Sequence, residues 1–72
     1  MFKNLEAEIT RTGILKKDIA EFLGINTVTL TFKLTGKTRF KLSEAVKIRN
    51  EYFPGLELEY LFKEEFDDKD LL

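Results

Sequence analysis

The sequence predicts an all-α domain of five short helices, on the basis of three observations. Four segments repeat apolar residues at the three- and four-residue spacing that gives a helix one apolar side. Gly13, Gly24 and Gly36 stand where helices commonly end, because glycine tolerates the left-handed backbone of a C-terminal cap. One segment, residues 27–35, alternates like a strand, but no second segment does, so a sheet has no partner strand.

Length and composition exclude several classes of protein. The 72 residues are 43% hydrophobic, which allows one small core, and we expect a domain at residues 1–66 and an acidic, frayed tail at 67–72. The chain has no Cys and no His, so we expect no disulfide, no metal site, no cofactor and no enzyme activity. No apolar run has the length of a signal peptide or membrane span, which predicts a soluble, cytoplasmic protein without a membrane or small-molecule partner.

The net charge of −1 conceals an uneven distribution along the chain. Residues 1–50 contain ten Lys or Arg and five Asp or Glu, whereas residues 51–72 contain two and eight. The first part is therefore net +5 and the last part net −6. A basic body of this kind favours a polyanionic partner, which the overall pI of 5.4 conceals.

The first two helices are predicted at residues 2–11 and 16–23. Their apolar stripes are Phe2, Leu5 and Ile9 in the first, and Ile19, Ala20 and Leu23 in the second. A glycine follows each helix at the position of a C-terminal cap.

The third helix is expected at residues 27–35, against the local pattern. Asn26 is a strong N-cap, whose side chain can accept from the backbone N–H of Val28 or Thr29. In a helix Leu30 and Leu34 share the inner side, while Val28 and Phe32 lie together on the outer side. The β-branched residues cost about 2 kcal/mol relative to better helix formers, which tertiary packing must supply.

The last two helices are predicted at residues 42–53 and within residues 56–66. The predicted inner stripes are Leu42, Ala45, Val46, Arg49 and Phe53, followed by Leu58, Leu61 and Phe62. Phe53 is expected to leave helical geometry because Pro54 follows it. Glu57 and Glu59 are interpreted as an exposed helix face.

Residues 16–37 thus combine a helix, a tight turn and a second short helix. Ala20 is small where the two helices cross, Gly24 allows the turn, and Ile25 fills the space between them. The pattern is carried by Asp18-Ile19-Ala20, Leu23-Gly24-Ile25, Leu30 and Gly36-Lys37. It resembles the helix-turn-helix of the Cro and phage-repressor (XRE-like) family, and over residues 2–64 the chain is similar to a small lambda-repressor-like domain of that family.

The resemblance implies a sequence-selective, duplex-DNA-binding transcriptional regulator, acting as a homodimer in the cytoplasm of a bacterium or phage-infected cell. In that family the second helix of the motif lies in the major groove. Position by position, this assigns base contacts to Thr27, Val28, Thr29, Thr31 and Phe32. Threonine hydroxyls can bind base edges, and Val or Phe can contact thymine methyl groups. Because the helix contains no Arg, Gln or Asn, discrimination per base is expected to be weak or to depend on DNA shape.

Cations beside this helix predict phosphate contacts. The predicted set is Lys16, Lys17, Lys33, Lys37, Arg39 and Lys41. Each is also interpretable as a solvated surface charge, and Arg11 and Arg49 are expected to solubilise the protein or pair with acids. Two residues depart from the family pattern, because Leu15 and Lys41 stand where side-chain N-caps are usual. Lysine opposes the helix dipole there, and a phosphate neighbour explains such a choice.

Two features leave alternatives open. Val28 and Phe32 also suit a dimer or partner surface, so the fold is alternatively a protein-interaction module such as an anti-repressor or phage assembly factor. In the tail, Asp67, Asp68 and Asp70 suggest calcium, but the glycine and distal Glu of a calcium-binding loop are missing. The tail is otherwise expected to solubilise, to limit non-specific DNA binding, or to form a dimer contact through Tyr60, Phe62, Phe66, Leu71 and Leu72.

Overall fold

Five helices form the described part of the chain, residues 1–64 of this computed structural model, and no strand occurs within it. They are α1 (Lys3–Thr12), α2 (Lys16–Leu23), α3 (Thr27–Thr35), α4 (Leu42–Tyr52) and α5 (Leu58–Leu61). The prediction of an all-α, five-helix fold is confirmed. The predicted tail at 67–72, with Asp67, Asp68 and Asp70, lies outside the described residues, as do Phe66, Leu71 and Leu72 of the alternative dimer contact.

The core receives at least one fully buried side chain from every helix. These side chains are Leu5, Ile19, Leu30, Leu34, Ile48 and Leu61. The inner stripes predicted for α1 and α2 agree with this core, since Phe2, Ile9 and Ala20 are also buried. Burial of these apolar groups supplies the main driving force that holds the short helices together.

The inner side of α4 differs from the prediction. Leu42 is 73% exposed and Val46 is 37% exposed, whereas Ile48, absent from the predicted stripe, is 1% exposed. The α4 sequence contains two overlapping apolar stripes, and the core takes the one that contains Ala45 and Ile48. The predicted role of Phe53 is confirmed, because it is buried in a non-helical conformation directly before Pro54.

Three glycines end the first three helices as predicted. Gly13, Gly24 and Gly36 have φ of 74°, 74° and 88°, in the left-handed region that favours glycine. Gly36 has a second constraint, because a Cβ at this position would lie 2.9 Å from the backbone nitrogen of Met1. The chain start is joined to the end of α3 here, since the Phe2 N–H donates to the Leu34 carbonyl at 3.0 Å.

An aromatic cluster holds the segment between α3 and α4. Phe40 packs edge-on against Phe2 and Phe62, with ring centroids 5.3 Å and 5.2 Å away. Phe2 and Phe62 also contact each other at 5.8 Å, so the three rings form a closed set. Edge-to-face contacts of this kind add to the energy of burial. Residues 37–41 are therefore anchored at Phe40 while their cations remain exposed.

Among residues 1–64, no helix has both the length and the apolar character needed to cross a membrane.

Candidate nucleic-acid interface

The turn between α2 and α3 has the tight geometry that the sequence predicts. The Ile25 N–H donates to the Ala20 carbonyl at 2.9 Å, and the Gly24 N–H donates to the Glu21 carbonyl at 3.1 Å. Ala20 is 2% exposed, so the helices approach closely at this small residue. Ile25 packs against the core from the turn, as expected. These contacts hold α3 at a defined angle to α2.

Two predictions about helix N-caps are confirmed: α3 has a side-chain cap, and α2 has none. The Asn26 side-chain oxygen accepts a hydrogen bond from the Thr29 N–H at 2.7 Å. This bond satisfies one of the N–H groups that a helix leaves without a partner in its first turn. Leu15 has extended backbone before α2 and supplies no side-chain cap, which confirms the loss predicted there.

Residues 27–35, whose sequence alternates like a strand, form a helix with one buried side and one exposed side. Leu30 and Leu34 are 0% and 1% exposed, and they belong to the core. Val28 is 61% exposed and Phe32 is 38% exposed, on the outer side. The predicted division of α3 is therefore confirmed.

The threonines of α3 are not equivalent hydrogen-bond donors. The Thr31 hydroxyl donates to the Thr27 carbonyl at 3.0 Å, and the Thr35 hydroxyl donates to the Phe32 carbonyl at 3.2 Å. Both hydroxyl protons are therefore held by the helix backbone, which leaves these oxygens as acceptors. No hydrogen bond joins the hydroxyl of Thr27 or Thr29 to the described part of the chain.

Lys33 requires a correction to the predicted set of phosphate contacts. Its side chain is only 11% exposed, and its ammonium donates to Glu44 Oε1 at 3.1 Å and to the Arg39 carbonyl at 3.0 Å. The prediction was wrong because no residue near Lys33 in the sequence is acidic, and its partner, Glu44, comes from α4. Lys33 joins α3 to the segment that follows it.

The acidic partner of Lys33 is Glu44, and the sequence did not predict this pair. Burial alone would raise the pKa of its carboxyl, but hydrogen bonds from the Lys41 N–H and from Lys33, with the attraction of both ammonium groups, hold that pKa below 4.5. The Lys41 N–H donates to Glu44 Oε1 at 2.8 Å. The Lys41 ammonium itself has no acceptor atom, so its side chain cannot cap α4, as predicted.

Lys37, Arg39 and Lys41 are exposed beside the end of α3. The Lys37 ammonium lies 4.5 Å from the centre of the Phe32 ring, and the Lys37 N–H donates to the Phe32 carbonyl at 2.9 Å. This cation–π contact, invisible in the spacing of the residues, places a positive charge at the edge of the outer side of α3. No acidic residue occurs between positions 27 and 43.

The cations at the start of α2 also lie on the surface. Lys16 forms an exposed ion pair with Glu6, with nitrogen and oxygen 2.8 Å apart, and Lys17 is exposed. Exposed pairs of this kind are weak, so the pairing leaves Lys16 available to a stronger anionic partner.

The two arginines that the prediction kept apart from the site are held by the protein. Arg11 Nε donates to Glu8 at 2.8 Å, and the Tyr60 hydroxyl donates to the same carboxylate at 2.9 Å. The hydrogen bond from Arg11, then that from Tyr60, lower the pKa of Glu8, while the bond to Glu8 raises the pKa of Tyr60. Arg49, which was expected to solubilise the protein or to pair with an acid, instead donates to the Leu56 carbonyl at 2.9 Å and to Asn50 Oδ1 at 3.0 Å.

Three acids of the helical body, Asp18, Glu21 and Glu51, lie near Tyr52. Burial first, and then the charges of Glu51, Asp18 and Glu21, raise the pKa of the Tyr52 hydroxyl. Tyr52 also packs edge-on against Phe22, with ring centroids 5.7 Å apart. The molecule thus has an acidic, aromatic region where α2 meets the end of α4, and a cationic, acid-free segment after α3. Glu57 and Glu59 are exposed, as predicted.

Residues 1–64 contain no cluster of three or more Asp, Glu, His or Cys that could hold a metal ion. No family model, no curated protein and no solved structure matches the chain significantly.

Proposed function

We propose that this protein binds duplex DNA sequence-selectively, with α3 in the major groove, and regulates transcription in the manner of Cro and the phage repressors. One observation carries the proposal: the outer side of α3 is uncovered directly beside an acid-free cationic segment. Val28 is 61% exposed, and Lys37 lies over the exposed ring of Phe32. A helix of this size fits the major groove, which is about 12 Å wide.

Phosphate neutralisation supplies most of the affinity in this proposal. The revised phosphate contacts, without Lys33, are Lys16, Lys17, Lys37, Arg39 and Lys41. They come from the start of α2 and from the segment after α3, so they can contact the backbone on both sides of a groove that holds α3. Lys41 gives α4 no side-chain cap, which costs about 1 kcal/mol, and a phosphate contact explains why lysine stands there.

Base contacts then come from the outer side of α3, at Thr27, Val28, Thr29, Thr31 and Phe32. The proposal includes a homodimer on a two-fold site, with half-sites about one helical turn apart. A selection of bound duplexes from a random pool at moderate salt returns the site, its symmetry and the half-site spacing together. Half-sites without a two-fold relation would remove the dimer from the proposal.

The salt dependence of binding tests the proposal directly. The observed binding constant of the wild-type protein is expected to fall steeply with salt, because each phosphate contact releases counterions from the DNA. Lys37→Ala and Arg39→Ala should each lower the slope of log K against log salt by about 1. Lys47→Ala is the matched control, since Lys47 is an exposed cation on α4 outside the proposed contacts, and it should leave the slope unchanged. Absence of duplex binding at low salt and tens of micromolar protein would refute the proposal.

A second candidate function is a protein-interaction module, and one observation favours it. Leu42 and Val46 form an exposed apolar pair one turn apart on α4, and the proposed DNA contacts do not use them. A folded protein that fails to bind DNA in the titration above would favour this second function.

A further inference from the structure

We infer that α3 selects DNA sites that carry a pyrimidine 5-methyl group, in thymine or 5-methylcytosine, opposite Val28 and Phe32. The inference rests on the proposed DNA-binding function and names the chemical group that the outer side of α3 recognises. Two observations support it: the apolar side chains of Val28 and Phe32 are exposed, and the hydroxyl groups of Thr31 and Thr35 already donate to backbone carbonyls.

The most exposed apolar groups of α3 form one continuous patch. Val28 and Phe32 are four residues apart, and are therefore neighbours on the helix surface. The base edges in the major groove present hydrogen-bond donors, acceptors and one apolar group, the 5-methyl of thymine. An apolar patch gains free energy there by covering that methyl group, and it loses free energy by covering an unpaired donor or acceptor.

Hydrogen bonding leaves this patch with little means to read bases in another way. The Thr31 hydroxyl, between Val28 and Phe32 in sequence, already donates to the Thr27 carbonyl. The helix contains no Arg, Gln or Asn that could form a bidentate contact. The hydroxyls of Thr27 and Thr29 remain as donors on α3, but a single hydroxyl contact discriminates less than a bidentate pair, so the methyl group should supply the larger part of the discrimination.

The Phe32 ring is held in place for such a contact. The Lys37 ammonium lies 4.5 Å from the ring centre, and the backbone that carries Lys37 is fixed because the N–H groups of Lys37 and Thr38 donate to the Phe32 carbonyl at 2.9 Å and 3.2 Å. A ring held from one side loses less conformational entropy when its exposed part meets a base. Lys37 places positive charge directly at the patch, and Arg39 and Lys41 follow it as exposed cations, which suits DNA and disfavours a purely apolar occupant.

Methyl deletion in the DNA tests the inference. Starting from the selected site, each thymine is replaced in turn by deoxyuridine, which keeps the hydrogen-bonding edge and removes only the methyl group. At one or two positions in each half-site, we expect binding of the wild-type protein to weaken about fourfold per methyl group. At such a position, the protein should bind DNA that carries 5-methylcytosine more tightly than DNA that carries cytosine. Comparing duplexes with 5-methylcytosine and with thymine at that position shows which of the two methylated bases the protein prefers.

Protein variants connect the effect to α3. Val28→Thr keeps the shape of the side chain and replaces a methyl by a hydroxyl, and Phe32→Ala removes the ring. Both should reduce the thymine-to-deoxyuridine ratio toward 1 at the positions that each contacts. Val46→Thr makes the same change at an exposed valine on α4, and should leave the ratio intact. Circular dichroism tests whether each variant is folded. If Phe32→Ala is unfolded, the result for Val28→Thr alone tests the inference.

Three outcomes are distinguishable. Tight, salt-dependent and sequence-selective binding that is indifferent to every deoxyuridine substitution overturns methyl recognition and leaves the DNA-binding function intact. A methyl effect that folded Val28→Thr and Phe32→Ala variants both leave unchanged also overturns the assignment to α3. Absence of any duplex binding refutes the proposed function itself, and the inference with it.

Discussion

The two sides of α3 are formed by one nine-residue segment, but one side is buried and the other is exposed. On the inner side, Leu30 and Leu34 are fully buried and hold the helix to the core. On the outer side, Val28 and Phe32 are exposed, although their residue types also favour burial. The difference shows that hydrophobicity alone does not distinguish a core residue from a surface residue. The position around the helix decides, and the exposed apolar pair is the one that needs a functional explanation.

Lys33 and Lys37 differ in the same way, because one lysine is buried and paired and the other is exposed. Lys33 points inward, where Glu44 and the Arg39 carbonyl satisfy its ammonium. Lys37, four positions later, is exposed and lies over Phe32. The first holds the helix to its neighbours, and the second is available to a phosphate.

Truncation of the two sides should give the largest contrast in stability. Leu34→Ala is expected to lower the free energy of unfolding by about 2–5 kcal/mol, because it opens a cavity in the core. That loss is comparable with the total stability of a domain this small, on the order of 3–5 kcal/mol. Val28→Ala should stay within about 0.5 kcal/mol of wild type, since its side chain is exposed. Urea denaturation followed by circular dichroism measures both, and equal losses would contradict the division of α3 into two sides.

Removing the charge of each lysine should give a smaller contrast of the same kind. Lys33→Met keeps the aliphatic stem but leaves Glu44 without its ammonium partner, with an expected loss of about 1–3 kcal/mol. Lys37→Met should cost no more than about 1 kcal/mol, the value of an exposed cation–π contact. Its effect should be seen in DNA binding instead. If urea denaturation gives the larger loss for Lys37→Met, the roles assigned to the two lysines are reversed.

The pH dependence of stability sharpens the role of the inward lysine. The pKa of Glu44 lies below 4.5 in the folded protein, so its ionised carboxylate stabilises the fold above about pH 4.5. That contribution is lost as the pH falls through the lowered pKa. The difference in unfolding free energy between wild type and Glu44→Gln should therefore be largest near neutral pH and shrink as the pH falls through the lowered pKa of Glu44. Glu8, whose pKa is also lowered, is present in both proteins and cancels in the comparison. A difference that stays constant over this range would mean that Glu44 does not act through its charge.

The smallest expected effect concerns the cap that starts α3. Asn26→Ala removes the acceptor for the Thr29 N–H and should cost about 1 kcal/mol. Asn26→Asp keeps an acceptor oxygen and should retain nearly all of the stability. Thermal unfolding of the two variants tests this, and an equal loss in both would show that the amide acts through another contact.

Local signals account for the parts of the fold that the sequence predicted well. Glycines with φ near 74° and 88°, Asn26 as a cap, and Phe53 before Pro54 all act through their own backbone or that of close neighbours. The α3 prediction is different, since local propensity favours a strand there. It succeeded because no other segment could pair with such a strand, which is a property of the whole chain.

The wrong predictions share one cause. Lys33 was expected at the surface because its acidic partner lies eleven positions away, at Glu44. The inner stripe of α4 was expected to include Leu42 and Val46, because both stripes of that helix satisfy helical periodicity. The cation–π contact of Lys37 with Phe32 similarly depends on the path of the turn after Gly36.

The sequence by itself determined, to within about a residue, where the first four helices begin and end, because caps, glycines and apolar spacing act over a few residues. Only the tertiary structure decided which side of α4 is buried, which lysine is paired, and that the Lys37 ammonium lies over the Phe32 ring. Burial and pairing are set by residues far apart in the chain, and the folded backbone is what brings those residues together.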